Sequence, residues 1–135
     1  MNAVDTNVLI YARDPRHPSK FQRARHLSAE MPDGVLLWQV ACEFIAASRK
    51  LTEVGYTQAQ AWRELEQLRE LWKLIVPSEN VLTHAERLTG THNFSFWDSM
   101  LVAACIESGV TRLYTEDFDS SISKAIGVEI INPFS

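Results

Sequence analysis

The chain has 135 residues and a mass of 15.4 kDa, which suits one domain with its own hydrophobic core but not two. Its net charge of −4 provides no overall attraction for nucleic acid, so any such binding must be local. The longest apolar run, residues 100–106, is far too short to span a membrane, and Asp5 comes too early for a secretory signal peptide. A cytoplasmic location is therefore expected.

Apolar runs and helical periodicity alternate along the whole chain. Short apolar runs predict five strands, at residues 3–5, 35–38, 74–76, 112–115 and 128–131. Periodic segments predict the helices between and after them, at residues 7–12, 19–31, 39–51, 57–73, 78–92, 95–108 and 120–126. Short apolar strands that alternate with helices predict an α/β fold, with a parallel sheet of about five strands flanked by helices. Residues 1–135 are expected to form a single domain.

Several helix residues carry more specific predictions. Ser19, Thr57 and Ser95 precede periodic segments and are predicted N-caps, and Gly109 is a predicted C-cap. The tryptophans at 62 and 72 are expected to pack into the core. Neither Cys42 nor Cys105 belongs to a Cys-x-x-Cys pair, and both are expected to be small core residues.

Two aspartates stand where buried strands are predicted to end. Asp5 closes the first strand, and Asp117 follows the fourth. Because the carboxyl ends of parallel strands meet at one edge of a sheet, the two carboxylates are expected to be neighbours. A ligand site is expected at the same edge, outside the strand ends.

Two further acids come at the start of predicted helices. Asp98 lies three residues after Ser95 in a helix that is apolar almost all round, so it could complete a capping box or contribute a carboxylate to the site. Glu43 is the only charged residue between positions 39 and 48, and it borders an apolar stripe. It could be a partly exposed helix residue or a fourth member of the acidic group.

Four clustered carboxylates require compensation. Two of them about 4 Å apart repel by roughly 4 kcal/mol at an effective dielectric constant of 20. Arg112 is the one basic residue near these motifs that could balance the charge. A hard divalent cation such as Mg²⁺ or Mn²⁺, bound by oxygen ligands, would neutralise the group. The sequence therefore predicts a metal site formed by Asp5, Glu43, Asp98 and Asp117.

With these motifs in this order, the chain resembles the PIN-domain nucleases, and among them the VapC-type toxins of bacterial toxin–antitoxin pairs. The resemblance covers nearly the whole chain. It rests on four stretches: Val-Asp-Thr-Asn-Val-Leu from position 4, Gln-Val-Ala-Cys-Glu-Phe from 39, Ser-Phe-Trp-Asp-Ser-Met-Leu from 95 and Leu-Tyr-Thr-Glu-Asp-Phe from 113. Ser99 departs from the small apolar residue expected at its position.

The resemblance implies an endoribonuclease that uses Mg²⁺ or Mn²⁺ and leaves a 5′-phosphate and a 3′-hydroxyl. Asp5 and Asp98 are expected to be the principal metal ligands, with Asp117 and Glu43 completing the site. The resemblance also implies supporting residues, namely Thr6, Asn7, Thr115 and, as an outer acid, Asp119. A cognate antitoxin and a second copy of the chain are the expected protein partners, with helix 57–73 as one surface for either.

RNA must dock beside this acidic site on an acidic protein. The most basic stretch, residues 13–26, contains five of the 13 Lys and Arg residues. Arg13 and Arg16 lie in a predicted loop and are the expected phosphate contacts. A solvated helix face is the other interpretation of this stretch.

Three alternative functions can be weighed against the sequence. One is a PIN-domain nuclease of RNA processing with no antitoxin. Another is a catalytically silent RNA-binding module, which the four intact acids make less favourable. A haloacid-dehalogenase-type phosphatase would need a second aspartate two residues after Asp5, where this chain has Asn7.

Overall fold

A computed structural model describes all residues, 1–135. Strands and helices alternate along the chain, as the sequence predicts. The strands are β1 (Asn2–Val4), β2 (Val35–Leu37), β3 (Lys73–Ile75), β4 (Arg112–Tyr114) and β5 (Glu129–Ile131). The helices are α1 (Thr6–Tyr11), α2 (Pro18–Glu30), α3 (Trp38–Ala47), α4 (Gln58–Leu71), α5 (Asn80–Thr91), α6 (Phe96–Ser108) and α7 (Ser123–Ile126). Two 3₁₀ segments, Ser48–Val54 and Ser120–Ile122, follow α3 and precede α7.

All strand pairs are parallel, which confirms the predicted sheet type. The pairing has two parts: a three-stranded ladder in the order β1-β4-β5 and a two-stranded ladder of β2 and β3. One isolated parallel bridge between Asn2 and Gly34 joins them, and Asn2 N donates to Asp33 O at 2.9 Å. The five strands therefore follow the order β3-β2-β1-β4-β5, with a narrow connection between β2 and β1.

Gly34 is required where the two ladders meet. A Cβ at this position would lie 2.6 Å from Trp72 Nε1 and 2.8 Å from Met31 Cε. Trp72 is 2% exposed, so its ring has no room to move away from a larger residue. The absence of a side chain at Gly34 lets the tryptophan pack beneath the connection.

Three of the four predicted helix caps are present. Thr57 accepts a hydrogen bond from Gln60 N, and Ser95 accepts one from Asp98 N, so both are N-caps. Gly109 ends α6 with a φ of 82°, in the left-handed region that glycine adopts without strain. The prediction for Ser19 was wrong: α2 begins at Pro18 with His17 at the N-cap position, because proline suits the first helical turn.

A core of 30 buried apolar residues lies between the sheet and the helices. Trp72 and Cys105 belong to it, as predicted. The predictions for Trp62 and Cys42 were wrong: Trp62 is 59% exposed on the outer face of α4, and Cys42 is exposed on α3. Periodicity placed both beside an apolar stripe, but neither side chain has an element packed against it. No helix has the length and apolar character needed to cross a membrane.

Candidate active site

The parallel register of β1 and β4 places Asp5 beside Thr115. Val4 pairs with Tyr114, and Asp5 N donates to Tyr114 O at 2.8 Å, so the next residues of the two strands lie side by side. Thr115 Oγ1 donates to Asp5 Oδ2 at 2.8 Å, and Thr6 N donates to Asp5 Oδ1 at 2.7 Å. The Asp5 carboxylate is therefore fixed at the carboxyl edge of the sheet, where the sequence predicts the site.

Asp5 is a buried carboxylate in an acidic environment. It is 6% exposed, and burial, the largest effect, raises its pKa from 3.8 to about 6. The hydrogen bonds from Thr115 and Thr6 lower this pKa, while the charges of Asp117 and Glu43 raise it. Three of the four predicted acids thus interact electrostatically, with Asp5 at the centre.

Asp117 is attached to the same network through the backbone. Its N–H donates to Thr115 Oγ1 at 3.1 Å, while that hydroxyl donates to Asp5. One threonine hydroxyl therefore orients Asp5 and fixes the start of the loop that carries Asp117. The side chain of Asp117 is exposed, so its carboxylate is open to a ligand from solvent.

Glu43 reaches the site from the other part of the sheet. Helix α3 starts directly after β2, and Glu43 lies in its second turn. The residue is half-buried, and its Oε1 is buried with no hydrogen-bond partner. A buried carboxylate oxygen without a donor is costly unless it binds a cation or water.

Asp98 lies in the first turn of α6, at the same end of the sheet. Gln39 Nε2 donates to Trp97 O at 3.0 Å, so the beginning of α6 is joined to the beginning of α3. Ser95 caps α6 by accepting from Asp98 N, but Ser95 N makes no return bond to the Asp98 carboxylate. The predicted capping box is only half formed, and the carboxylate of Asp98 remains available.

The donor set of this edge fits a hard divalent cation. Five of the six buried side-chain polar atoms that lack a partner belong to Thr6, Asn7, Glu43 and Ser99. Oxygen atoms dominate this pocket, and they are the ligands that Mg²⁺ and Mn²⁺ prefer. No three acidic, histidine or cysteine side chains converge to ligating positions.

The supporting residues predicted from the resemblance have different environments. Thr115 contacts Asp5 directly, and Asn7 has both side-chain polar atoms buried without partners. Asp119 is exposed and caps the 3₁₀ segment Ser120–Ile122, where Ser121 N donates to its Oδ1 at 2.9 Å and lowers its pKa. Its part as an outer acid of the site stays a prediction.

The two arginines predicted to contact RNA are bound by acids of this chain. Arg13 Nε lies 2.7 Å from Glu64 Oε1, and its side chain is 15% exposed. Arg16 Nε lies 2.9 Å from Asp14 Oδ1, and its Nη1 lies 2.8 Å from Glu53 Oε2. Their contact with RNA stays a prediction, and it would require these ion pairs to rearrange.

Lys20, which the sequence showed only as a member of the basic stretch 13–26, lies close to the acids. Lys20 Nζ is 2.9 Å from Glu116 Oε2, and Glu116 stands between Thr115 and Asp117. Arg112, the expected counter-charge, begins β4 at the opposite end of that strand and pairs with Glu129 at 3.1 Å. The contact that distinguishes Lys20 is with Glu116, which lies 96 positions away in sequence. No local motif could therefore have indicated it.

A parallel α/β fold with an oxygen-rich, acidic site at the carboxyl edge defines a class of proteins suited to cation-dependent chemistry. The family model described as "PIN domain" matches residues 3–125. The chain therefore belongs to the PIN domain family. No curated protein matches the sequence at a significant level.

Solved structures share this fold over essentially their full length. A toxin–antitoxin complex from Klebsiella pneumoniae is 17% identical with a TM-score of 0.69, covering 100% of this chain and 99% of that chain. FitAcB from Neisseria gonorrhoeae is 20% identical with a TM-score of 0.71, covering 98% of both. Mycobacterium tuberculosis VapC20, described as a sarcin–ricin loop cleaving toxin, is 15% identical with a TM-score of 0.67, covering 96% and 99%. The architecture is common to all four chains.

Proposed function

We propose that this PIN-domain protein is a Mg²⁺- or Mn²⁺-dependent endoribonuclease that acts as the toxin of a toxin–antitoxin pair. The observation that carries the proposal is the buried Asp5 carboxylate, held by Thr115 and Thr6 and influenced by the charges of Asp117 and Glu43. A buried acid surrounded by acids is unfavourable in an apo protein and becomes favourable when a cation binds.

Each acid has a distinct part in this proposal. Asp5 and Asp98 are the principal ligands, because one is fixed by two hydrogen bonds and the other has a carboxylate free of its helix cap. Glu43 and Asp117 complete the site and orient the attacking water. A bound divalent cation supplies charge neutralisation at the phosphate and lowers the pKa of a water molecule. The products are a 5′-phosphate and a 3′-hydroxyl.

An antitoxin partner is part of the proposal. The Klebsiella structure is a toxin–antitoxin complex, and it matches this chain over 100% of its length. On this chain, Trp62 and Leu71 of α4 are 59% and 61% exposed, and Leu71 lines a cleft of about 640 Å³ between α2 and α4. An exposed leucine in a cleft, with an exposed tryptophan on the outer face of the same helix, suits an apolar segment of a partner.

A homodimer is also proposed, on a different surface. Trp38, Val76 and Trp97 are 46%, 66% and 62% exposed, and they line an apolar groove of about 710 Å³ that reaches Glu43. Leu82 on α5 adds a further exposed apolar side chain. A second copy of the chain would cover this surface and enclose the acidic edge.

Expression of the chain alone in bacterial cells, with sequencing of the new RNA 5′ ends, tests the function. We expect growth arrest and discrete new 5′-phosphate ends, both absent with Asp98→Asn. The purified protein should cut the same RNA with Mg²⁺ and not with EDTA. Undiminished cleavage in EDTA would contradict the metal mechanism, and growth unaffected by an active nuclease would favour RNA processing. A neighbouring small gene for a DNA-binding protein would support the antitoxin.

A further inference from the structure

Lys20 has an environment unlike that of the other basic residues between positions 13 and 26. Its ammonium lies 2.9 Å from Glu116 Oε2 and 3.3 Å from Tyr11 Oη, and 4.6 Å from the centre of the Tyr11 ring. The Phe134 ring lies 5.6 Å away on another side. Two of the three ammonium protons are thus used, and the side chain is 38% exposed, so one donor remains for a ligand.

The four arginines of this stretch make contacts with other parts of the chain. Arg13 and Arg16 pair with Glu64 and with Asp14 and Glu53. Arg23 donates to backbone oxygens of Pro133 and Ser135. Arg25 stacks over the Phe21 ring at 5.0 Å and lines the cleft between α2 and α4. Lys20 is therefore the cation of this stretch that contacts the loop between Thr115 and Asp117.

We propose that Lys20 is a positioning residue for the RNA substrate, and that its ammonium binds a backbone phosphate adjacent to the one at the acidic site. This inference rests on the proposed nuclease function and adds the residue that holds the substrate. Lys20 is joined through Glu116 to the strand end that carries Thr115 and Asp117, so a chain held by Lys20 passes beside Asp5.

Glu116 has a defined part in this proposal. Its carboxylate fixes the ammonium near the acidic edge in the free protein and competes with phosphate for the same protons. Removing the charge of Glu116 should therefore favour RNA, whereas removing the charge of Lys20 should weaken it. A purely structural ion pair predicts instead that loss of either partner has the same effect on RNA binding.

Binding of a fluorescent single-stranded RNA of mixed sequence, titrated with salt, distinguishes these cases. All proteins carry Asp98→Asn so that the RNA stays intact. Lys20→Ala should weaken binding and reduce the log–log salt slope by about 0.7, the value for one phosphate on a single strand. Lys20→Arg should restore the slope, and Glu116→Gln should tighten binding. Arg25→Ala, which removes the same charge from another part of α2, should leave the slope unchanged.

Cleavage by proteins with an intact Asp98 supplies the second readout. Lys20→Ala should raise KM and largely preserve kcat, because Lys20 binds substrate and is not a ligand of the cation. Equal slopes for Lys20→Ala and the parent, or weaker binding by both Lys20→Ala and Glu116→Gln, would overturn the inference while RNA cleavage persists. A parent that neither binds nor cuts RNA would overturn this inference and the proposed function together.

Discussion

Thr115 donates a 2.8 Å hydrogen bond from its hydroxyl to Asp5, although 110 positions separate the two residues in sequence. The same hydroxyl accepts the N–H of Asp117. This contact joins the ends of β1 and β4 and fixes the orientation of the Asp5 carboxylate. Residues that orient a ligand in this way commonly affect a metal site almost as strongly as the ligands themselves.

Thr115→Val should therefore impair the site while the fold persists. Valine keeps the branched shape of this fully buried side chain but cannot donate to Asp5. Loss of an orienting partner typically costs about 10–100-fold in metal affinity or activity. The measurement is kcat/KM over a series of Mg²⁺ concentrations, with Thr115→Ser as the control that retains the hydroxyl. Equal activity of the valine and serine variants would remove Thr115 from the site.

Divalent cations should stabilise the folded protein. A cation that binds only the native state at about 100 times its Kd adds about 2.7 kcal/mol to the free energy of unfolding. We expect Mg²⁺ and Mn²⁺ to raise Tm, and EDTA to reverse the increase. Asp5→Asn should abolish the shift, whereas Asp33→Asn, at an exposed position, should retain it. A Tm unaffected by either cation would count against the site.

Without metal, Asp5 should make stability depend on pH. Its pKa is raised from 3.8 to about 6 by burial, so the folded protein binds a proton more tightly than the unfolded chain. The resulting stabilisation is fully present below pH 4 and is lost as the pH rises through about 6, an effect of up to about 3 kcal/mol. Urea unfolding in EDTA from pH 4 to pH 7 measures it, and Asp5→Asn should flatten the curve. An unchanged curve for Asp5→Asn would assign the pH dependence to other groups.

Asp98→Asn should separate activity from folding. The Ser95 cap uses the backbone N–H of Asp98, which asparagine retains, so only the favourable carboxylate–dipole interaction of about 0.3–1 kcal/mol is lost. We expect a folded protein whose RNA cleavage is lost.

Ser95→Ala supplies the reverse control, because it removes the cap at a cost of about 1 kcal/mol and leaves all four acids. Thermal unfolding and RNA cleavage of both variants decide the matter. If Asp98→Asn unfolds the chain, Asp98 is a structural residue; if it cleaves RNA normally, Asp98 is no ligand.

Asp14 should stabilise the protein in a pH-dependent way, away from the acidic site. Its buried carboxylate accepts hydrogen bonds from Arg16, which lower the pKa of Asp14. The stabilisation is present above the unfolded pKa near 4 and is lost as the pH falls further. Asp14→Asn should cost about 1 kcal/mol at pH 7 and progressively less as the pH falls below about 4. Glu53→Gln, at the exposed second partner of Arg16, should have a smaller effect, and equal losses in both variants would contradict the assignment.

The strands and the acids at their ends could be predicted because their signals are local. Short apolar runs mark each strand to within one or two residues, and an acid directly after a strand lies at the sheet edge in any parallel fold. Trp62 and Cys42 could not be placed, since periodicity shows which side of a helix is apolar and not where the covering element ends.

Charge pairing was the part of the site that sequence could not supply. Glu64 lies 51 positions from Arg13, and Glu116 lies 96 positions from Lys20. Neither sequence separation corresponds to a helical or strand repeat. Only the tertiary structure therefore shows that Arg13 pairs with Glu64 and that Lys20 is near the acids. The sequence showed the basic stretch but not which of its residues lies nearest the acids.

The narrow connection between the two ladders has a mechanical consequence. Asp5 and Asp117 follow strands of the β1-β4-β5 ladder, whereas Glu43 follows β2 of the other, and one bridge between Asn2 and Gly34 joins the ladders. A slight shift of one ladder relative to the other along this line would move Glu43 away from Asp5 without breaking the hydrogen bonds within either ladder. Mild denaturant or pressure should therefore abolish activity before the protein unfolds. The loss of activity would then report the misalignment of the two ladders.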